Sequence, residues 1–386
     1  MNICLYSPYI PKHRGGGEMY LLQVASVLQD KHKVYLAISD DWFADKKAEL
    51  AAAGLTDLSD AGIITHYQSF FNLPLDKVTI VRTPIGTSAK PWTKWLWTKQ
   101  WDVMYYVTDG SIFPSFARKN ILHIQVPLKI SKKKIWEQLK LSTWQVRNTN
   151  SHFTKEIVSK EWPIHIDHVH SPFVELPNYN ESAGDLSGAT PTKKTKTIVH
   201  IGRFFKQLHS KRQDTIIDTF KKMLEQYPTE MAGWKLHLIG GVEDQEYVDS
   251  LHELAKDLPI TFHHTLTRDQ VIKYLRSARI YWHATGFGID QFEFPEKVEH
   301  FGISTIEAMA AGCVPIVINA GGQPEALGND LKSCLWNNQK QWIDNTLQIL
   351  QNPQLEESLR KKAILQSKTY SKKHFTDLLE LMIYSQ

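Results

Sequence analysis

Two carboxylates eight residues apart bracket the run Glu299-His300-Phe301-Gly302-Ile303-Ser304-Thr305-Ile306-Glu307, which continues Ala308-Met309-Ala310-Ala311-Gly312-Cys313-Val314-Pro315. Ser304, with Glu307 three residues on, has the spacing of a capping box and predicts a helix starting near Thr305. Gly312 suits a left-handed helix end, and 314–318 is a short, fully apolar strand. A helix N-terminus presents unpaired N–H groups and a partial positive charge, a setting that takes a phosphate or a sugar hydroxyl. Spacing alone also allows a structural role, with Glu307 the reciprocal half of the capping box and Glu299 a solvated loop residue.

Two cations lie upstream. Arg203 directly follows the apolar strand 197–202, and Lys211 precedes a helix predicted over 212–226, whose dipole adds to the positive charge. Nearer the N-terminus, Gly15-Gly16-Gly17-Glu18 follows the first strand, a loop whose backbone can approach a ligand closely ahead of a helix. It is not the G-x-G-x-x-G dinucleotide fingerprint, although Asp40 and Asp41 follow the second strand, so a nicotinamide-dependent oxidoreductase is not expected. His123-Ile124-Gln125-Val126-Pro127 closes a later strand and puts His123 and Gln125 on one face of it. His283 ends another apolar strand ahead of Gly286-Phe287-Gly288, either as a core histidine or as a residue lining a pocket.

The elements that must position these residues alternate in type. Strands are expected over 2–6, 33–38, 62–66, 78–82, 103–107, 121–125 and 145–148, with helices over 19–28 and 155–160, the latter capped by Ser151 or Thr154. A second series places strands at 197–202, 234–239, 260–263 and 280–283 and helices at 212–226, 246–257 and 268–276, then helices at 340–350 and 355–365 around Pro353 and at 373–384. Strands alternating with helices imply parallel sheets with right-handed crossovers. The stretch 178–195 is rich in Asn, Ser, Gly, Thr and Lys and reads as a linker or exposed loop. The expected organisation is an α/β domain over 1–177, that linker, a second α/β domain over 196–366 and a terminal helix in 367–386.

At 386 residues the chain exceeds one ordinary core, which agrees with two domains. Cys4, Cys313 and Cys334 lie far apart in apolar runs, which argues for reduced thiols in a cytoplasmic protein and against a disulfide frame or zinc site. No apolar run nears the roughly 18 residues that span a bilayer, and the N-terminus reads as a strand rather than a signal peptide. A net charge of +4 is too mild to indicate nucleic acid.

The segment from Glu299 through Cys313 resembles the donor-binding E-x7-E motif of retaining family-4 glycosyltransferases (glycosyl transferases group 1), including the Phe-Gly after the first Glu and the Glu-Ala-Met-Ala-Ala-Gly run. The likeness covers essentially the whole chain and is strongest over 197–327. It implies the GT-B fold, in which two Rossmann-like doubly wound domains face a central cleft, nucleotide sugar on the second and acceptor on the first. It further implies that Arg203 and Lys211 bind the donor diphosphate, following the Gly202-Arg203 pattern with a longer spacer than the family's. Glu307 would accept ribose hydroxyls, and Glu299 would touch the transferred sugar. Backbone around Phe301, Gly302, Ile303 and Ser304 would reach sugar or phosphate, and backbone near 263–267 the base. Gly16 and Gly17 are similar to the family's Gly-Gly-x-Glu loop beside donor phosphates and acceptor. The family often places a His two residues before a Pro on the first domain; here Gln125 stands there and His123 two residues earlier, so either one contacts the reacting sugar.

The function implied is retaining transfer of a sugar from a nucleoside-diphosphate sugar to a glycan or lipid-linked acceptor, with no metal or other cofactor, in surface polysaccharide or glycolipid synthesis. The different-class alternatives are a non-catalytic nucleotide-sugar or glycan-binding protein and a nucleotide-sugar epimerase. Trp92, Lys94, Trp95, Trp97, Lys99 and Trp101 interleave aromatic and cationic side chains. They either pack within the first domain or meet an anionic membrane at its inner face, with 132–136 extending the patch.

Overall fold

The computed structural model describes residues 1–11, 15–39, 50, 55–129, 134–162, 164–176, 194–207 and 210–384. The expected linker, Asp40 and Asp41, and Lys132 and Lys133 therefore lie wholly or largely outside the described residues. The chain divides into two compact units, Met1–Phe173 with Lys373–Gln386, and Val174–Lys372.

The first unit runs β1 (Asn2–Tyr6), α1 (Gly16–Leu28), β2 (Lys33–Ser39), α2 (Asp60–Phe71), β3 (Val78–Thr83), α3 (Pro91–Lys99), β4 (Val103–Thr108), β5 (Lys119–Ile124), α4 (Ile135–Leu141), β6 (Val146–Thr149), α5 (His152–Glu161) and β7 (His168–Val169). Its sheet has the order β3-β2-β1-β4-β5-β6-β7, with every pairing parallel. All six residues of β4 are buried, as expected for a parallel strand covered on both faces. One face packs Tyr20, Leu21 and Val24 of α1, and the other packs Trp144, Val158 and Trp162.

The second unit repeats the pattern: β8 (Thr195–Ile201), α6 (Gln213–Gln226), β9 (Lys235–Ile239), α7 (Gln245–Leu254), β10 (Ile260–His263), α8 (Arg268–Ser277), β11 (Ala278–His283), α9 (Ile303–Ala310), β12 (Val314–Ile318), α10 (Gln323–Leu327), β13 (Leu335–Trp336), α11 (Gln339–Gln351) and α12 (Pro353–Ser367). The order β10-β9-β8-β11-β12-β13 reverses direction between β8 and β11 as the first sheet does between β1 and β4. In open α/β sheets such switch points are where ligands sit, outside the carboxyl ends of the strands. The final helix, α13 (Lys372–Tyr384), has Phe375, Leu379, Met382 and Ile383 on one stripe, and these join the α1 side of the first unit's core.

Three local expectations are corrected. Residues 62–66 are helix, not strand: Ser59 caps α2 by accepting from the Gly62 N–H at 3.0 Å, and buried Ile63 and Tyr67 stand one turn apart. Gly16 and Gly17 lie in the first turn of α1 rather than in a loop, with Gly15 as N-cap donating its N–H to Glu18 Oε2 at 2.7 Å. Ser304 does not cap α9. Left-handed Gly302 (φ 107°) precedes that helix, which starts at Ile303, and the Ser304 hydroxyl bonds Tyr281 Oη at 2.8 Å.

Candidate functional site

In the second unit the carboxyl ends of β8 and β11 bring buried histidines to the switch point. His200, in β8, donates Nδ1–H to the Trp282 carbonyl at 2.9 Å; a carbonyl only accepts, which fixes this tautomer. Burial pushes the His200 pKa down to about 3. His283, the last residue of β11, is fully buried and donates Nε2–H to Glu299 Oε2 at 3.1 Å. Burial, only partly offset by Glu299, lowers its pKa, so it stands there as neutral imidazole at neutral pH.

Glu299 receives a second partner from far along the chain. Lys211 Nζ sits 2.7 Å from the same oxygen, and the two side chains are only 18 % and 17 % exposed. Burial would raise the Glu299 carboxyl, but the Lys211 ammonium and the His283 N–H outweigh it and hold the pKa well below the usual carboxylate range. An ammonium carries three donors, so one bond to Glu299 leaves Lys211 two for an anionic ligand. The backbone carbonyl of Glu299 accepts from the Gly322 N–H at 2.8 Å, which anchors the loop that aims the carboxylate.

The stretch after Glu299 forms a second cluster. Phe301 is buried beside Ile306 and Ala326. On α9, Glu307 is 6 % exposed and pairs with Arg268, at the start of α8, at 2.6 Å. Thr305 donates its hydroxyl to Gln323 Oε1 at 2.9 Å. The left-handed Gly302 therefore leads directly into the first N–H groups of α9, those of Ile303 and Ser304, with no side-chain cap. A partial positive charge gathers there.

Arg203 follows β8 but turns outward. Its guanidinium is 48 % exposed and bonds both Glu243 oxygens at 2.8 and 3.1 Å. A surface pair of that kind contributes roughly 0–1 kcal/mol, so it is cheaply exchanged for a better anion. Gly202 packs close to both Lys211 and His200: a Cβ there would come within 2.6 Å of Lys211 Cγ and 3.0 Å of His200 Nε2. The structure thus gathers Gly202, Lys211 and Glu299 with His200 and His283, and sets Phe301, Gly302, Ile303, Ser304 and Glu307 on the adjoining loop and helix. His200, Arg268 and Gln323 carry no sequence signal that marks them as site residues. Only the strand-end position of His283 hinted at a role.

In the first unit, His123 is a core residue. It is fully buried in β5, stacks on Tyr20 with ring centroids 3.8 Å apart, and donates Nδ1–H to Asn148. Burial lowers its pKa to about 3. Gln125 lies past the end of β5 and half-buried, and a Cβ on Gly17 would stand 3.0 Å from its Oε1, which has no partner among the described residues. Gly16, Gly17 and Gln125 therefore share the carboxyl end of this sheet, and His123 sits deeper.

The tryptophan-rich segment splits. Trp92 and Trp95 on α3 are 57 % and 40 % exposed, whereas Trp101 is buried and Trp97 donates Nε1–H to the Arg82 carbonyl. Lys90 and Lys99 lie over the Trp92 and Trp95 rings, and Lys94 donates to the Thr87 carbonyl at 2.8 Å. Ile135, Trp136 and Leu139 on α4 are exposed as well. Among the described residues no helix is long and apolar enough to cross a membrane. Nor does any group of three or more His, Cys, Asp or Glu stand close enough to hold a metal ion among those residues.

Comparison with known proteins bears on the fold and on the second unit's sequence. The family model for glycosyl transferases group 1 matches residues 187–366. A GDP-Man:Man(3)GlcNAc(2)-PP-Dol alpha-1,2-mannosyltransferase of Dictyostelium discoideum is 33 % identical over 117 residues, 28 % of this chain and 21 % of that protein. The protein of that name in Yarrowia lipolytica is 27 % identical over 217 residues, 52 % of this chain and 32 % of its own length. The chain thus spans about a fifth to a third of these relatives. Among solved structures, Anabaena HepE with UDP and glucose superposes with a TM-score of 0.62 over 100 % of both chains at 15 % identity. WaaG, a glycosyltransferase involved in lipopolysaccharide biosynthesis, gives 0.59 over 100 % of both at 12 % identity. The chain has the GT-B fold, and its second unit carries the stretch that matches the glycosyl transferases group 1.

Proposed function

We propose that this protein is a retaining glycosyltransferase that moves a sugar from a nucleoside-diphosphate sugar to a glycan or lipid-linked acceptor in surface polysaccharide or glycolipid synthesis. The observation that carries this reading is the buried contact of Lys211, Glu299 and His283 at the β8–β11 switch point. Departure of a nucleoside diphosphate builds negative charge on its phosphate, and fixed cations there stabilise the transition state more than the ground state. Lys211 supplies one cation and Arg203, released from Glu243, the second; the reading needs no metal. Glu299, held ionised, accepts hydroxyls of the transferred sugar. Glu307 and the first N–H groups of α9 take the ribose and the phosphate. Retention follows if the acceptor attacks from the face the leaving phosphate vacates, that phosphate receiving the acceptor's proton.

UDP- and GDP-sugars are the first donors to try, since HepE is described with UDP and UDP-glucose and the curated relatives are named for GDP-Man. The exposed Trp92 and Trp95 face, with Lys90 and Lys99, supports peripheral contact with an anionic membrane carrying a lipid-linked acceptor. The test is thermal shift and calorimetry against UDP-, GDP-, ADP- and dTDP-sugars. One of them, at about 100 times its dissociation constant, should stabilise the protein by about 2.7 kcal/mol. NMR of the product should then show the donor's anomeric configuration. If no donor shifts the melt, or product forms with inverted configuration, the proposal is overturned.

A further inference from the structure

Arg212 stands in a backbone conformation that its side chain does not favour. It has φ 54° and ψ 41°, in the left-handed region, directly before α6. Among the described residues the other non-glycine positions with positive φ are Asn72 and Asp257, types whose short polar side chains make local hydrogen bonds there. Arginine lacks that compensation, and such strain persists only where the surroundings over-determine it.

The guanidinium ties two loops together. Nη1 donates to the Phe287 carbonyl, in the loop that leaves β11. Nε and Nη2 donate to the two carboxylate oxygens of Asp214 at 3.0 and 3.2 Å, and Nη2 donates to Thr215 Oγ1 at 2.8 Å. Asp214 and Thr215, in the first turn of α6, thus hold the fork in place while it reaches Phe287. The next residue along, Gln213, ties the end of β8: it is fully buried, and its Nε2 donates to the Gly202 and Arg203 carbonyls, both at 3.1 Å. Residues 212 and 213 therefore bracket the switch point from both sides.

Both members of the buried ion pair adjoin this bracket. Lys211 precedes Arg212, so the left-handed turn sets the course of the chain as it leaves Lys211. Glu299 is reached through the Phe287 loop: Gly286, at φ +96°, packs so closely on Val298 that a Cβ would come within 2.8 Å of Val298 Cγ1, and Val298 precedes Glu299.

We propose that Arg212 is a positioning residue: by clamping the Phe287 loop to the start of α6, it holds Lys211 and Glu299 in register with each other. The inference deepens the donor-site reading and rests on it for the chemistry, but not for the contact between Lys211 and Glu299. Two variants of the whole protein test it. Arg212→Gly takes the left-handed backbone readily and removes only the clamp, whereas Arg212→Lys keeps the charge and loses the planar fork. Circular dichroism establishes that they fold, and either one suffices.

In both variants kcat/KM for transfer or donor hydrolysis should fall by about 10- to 100-fold, chiefly in kcat, the cost of a misplaced reacting group. The Glu299 carboxyl, followed by NMR, should titrate at higher pH than in the wild type, because Lys211 no longer holds it. In a Lys211→Ala background the same substitutions should cost nothing more, the non-additivity of residues that act through one contact. Undiminished kcat/KM, a loss that adds in full to that of Lys211→Ala, or a Glu299 titration unmoved in both variants overturns the positioning role. A wild type that turns over no nucleotide sugar refutes the transferase reading instead, and the Glu299 titration then decides the clamp by itself.

Discussion

The Lys211 ammonium meets the Glu299 carboxylate at 2.7 Å across 88 residues of sequence, and both side chains are largely buried. The contact joins two residues that the family resemblance assigns to different ends of a donor. Lys211 holds Glu299 ionised, and in the proposed function it also meets the diphosphate. Lys211→Ala should lower kcat/KM by about 10²–10³, the usual cost of removing one preorganised stabiliser of leaving-group charge. Lys211→Arg should recover part of it. Steady-state kinetics on transfer or donor hydrolysis decides; a loss below threefold in the alanine variant would remove Lys211 from the mechanism.

Glu307 has a structural partner, Arg268, and a proposed ligand, and a double mutant separates them. Glu307→Gln should weaken donor binding by one to two powers of ten, the value of a hydrogen bond to a charged group. It should also destabilise the fold by about 1–3 kcal/mol, because Arg268, 28 % exposed, loses the partner of its charge. Adding Arg268→Leu should restore most of the stability and none of the donor affinity. Restored affinity in the double variant would make Glu307 a structural residue only.

Much of this architecture was legible, and the failures share a cause. The strand after Gly312 was readable because 314–318 is apolar throughout, and such a run is a buried parallel strand. Residues 62–66 misled because five positions are too few to tell period 2 from period 3.6, and the helix shows itself only through Tyr67 and Phe71. Gly16 and Gly17 are poor helix formers, held in α1 by the burial of Tyr20, Leu21 and Leu22 farther along. Ser304 had the right spacing for a cap, but Tyr281 on β11 takes its hydroxyl. The partnership of His283 with Glu299 joins a strand end to a loop 16 residues on, which no periodicity encodes.

Acid should unfold the protein early. Burial lowers the pKa values of His123, His170 and His200 to about 3, against about 6.5 in an unfolded chain. The unfolded state thus binds more protons between these values, and stability rises with pH across that window. It is full above about pH 6.5 and falls by roughly 1.4 kcal/mol per pH unit for each such histidine as pH drops towards 3. Glu299 acts in the same direction below its unfolded pKa, its folded value being depressed. Urea midpoints at pH 7.5, 6.5, 5.5 and 4.5 should be flat over the first interval and fall over the next two. A flat profile down to pH 4.5 would contradict the burial of these rings as neutral bases.

The exposed face of α3 makes a membrane prediction. Two tryptophans that each lie under a lysine suit an anionic interface, where each lysine contributes about 1 kcal/mol. The wild type should float with vesicles containing anionic lipid, release at high salt, and lose most binding in Trp92→Ala/Trp95→Ala. Flotation equal on neutral and anionic vesicles, or none on either, would leave this face without a lipid partner.

Gly302 tests whether backbone conformation or packing governs the entrance to α9. Its φ of +107° is costly for any residue with a Cβ, and a Cβ there would stand 2.9 Å from Gln323 Nε2. Gln323 is fully buried and accepts the Thr305 hydroxyl, so it cannot withdraw without losing that bond. Gly302→Ala should cost about 1–3 kcal/mol of stability from the strained backbone alone. It should also turn the Ile303 and Ser304 N–H groups away from the proposed phosphate position and weaken donor binding. Removing the obstacle with Gln323→Ala distinguishes the causes. If dihedral strain dominates, the double variant is no more stable and no better at binding donor than Gly302→Ala; a full rescue would assign the requirement for glycine to the Gln323 contact.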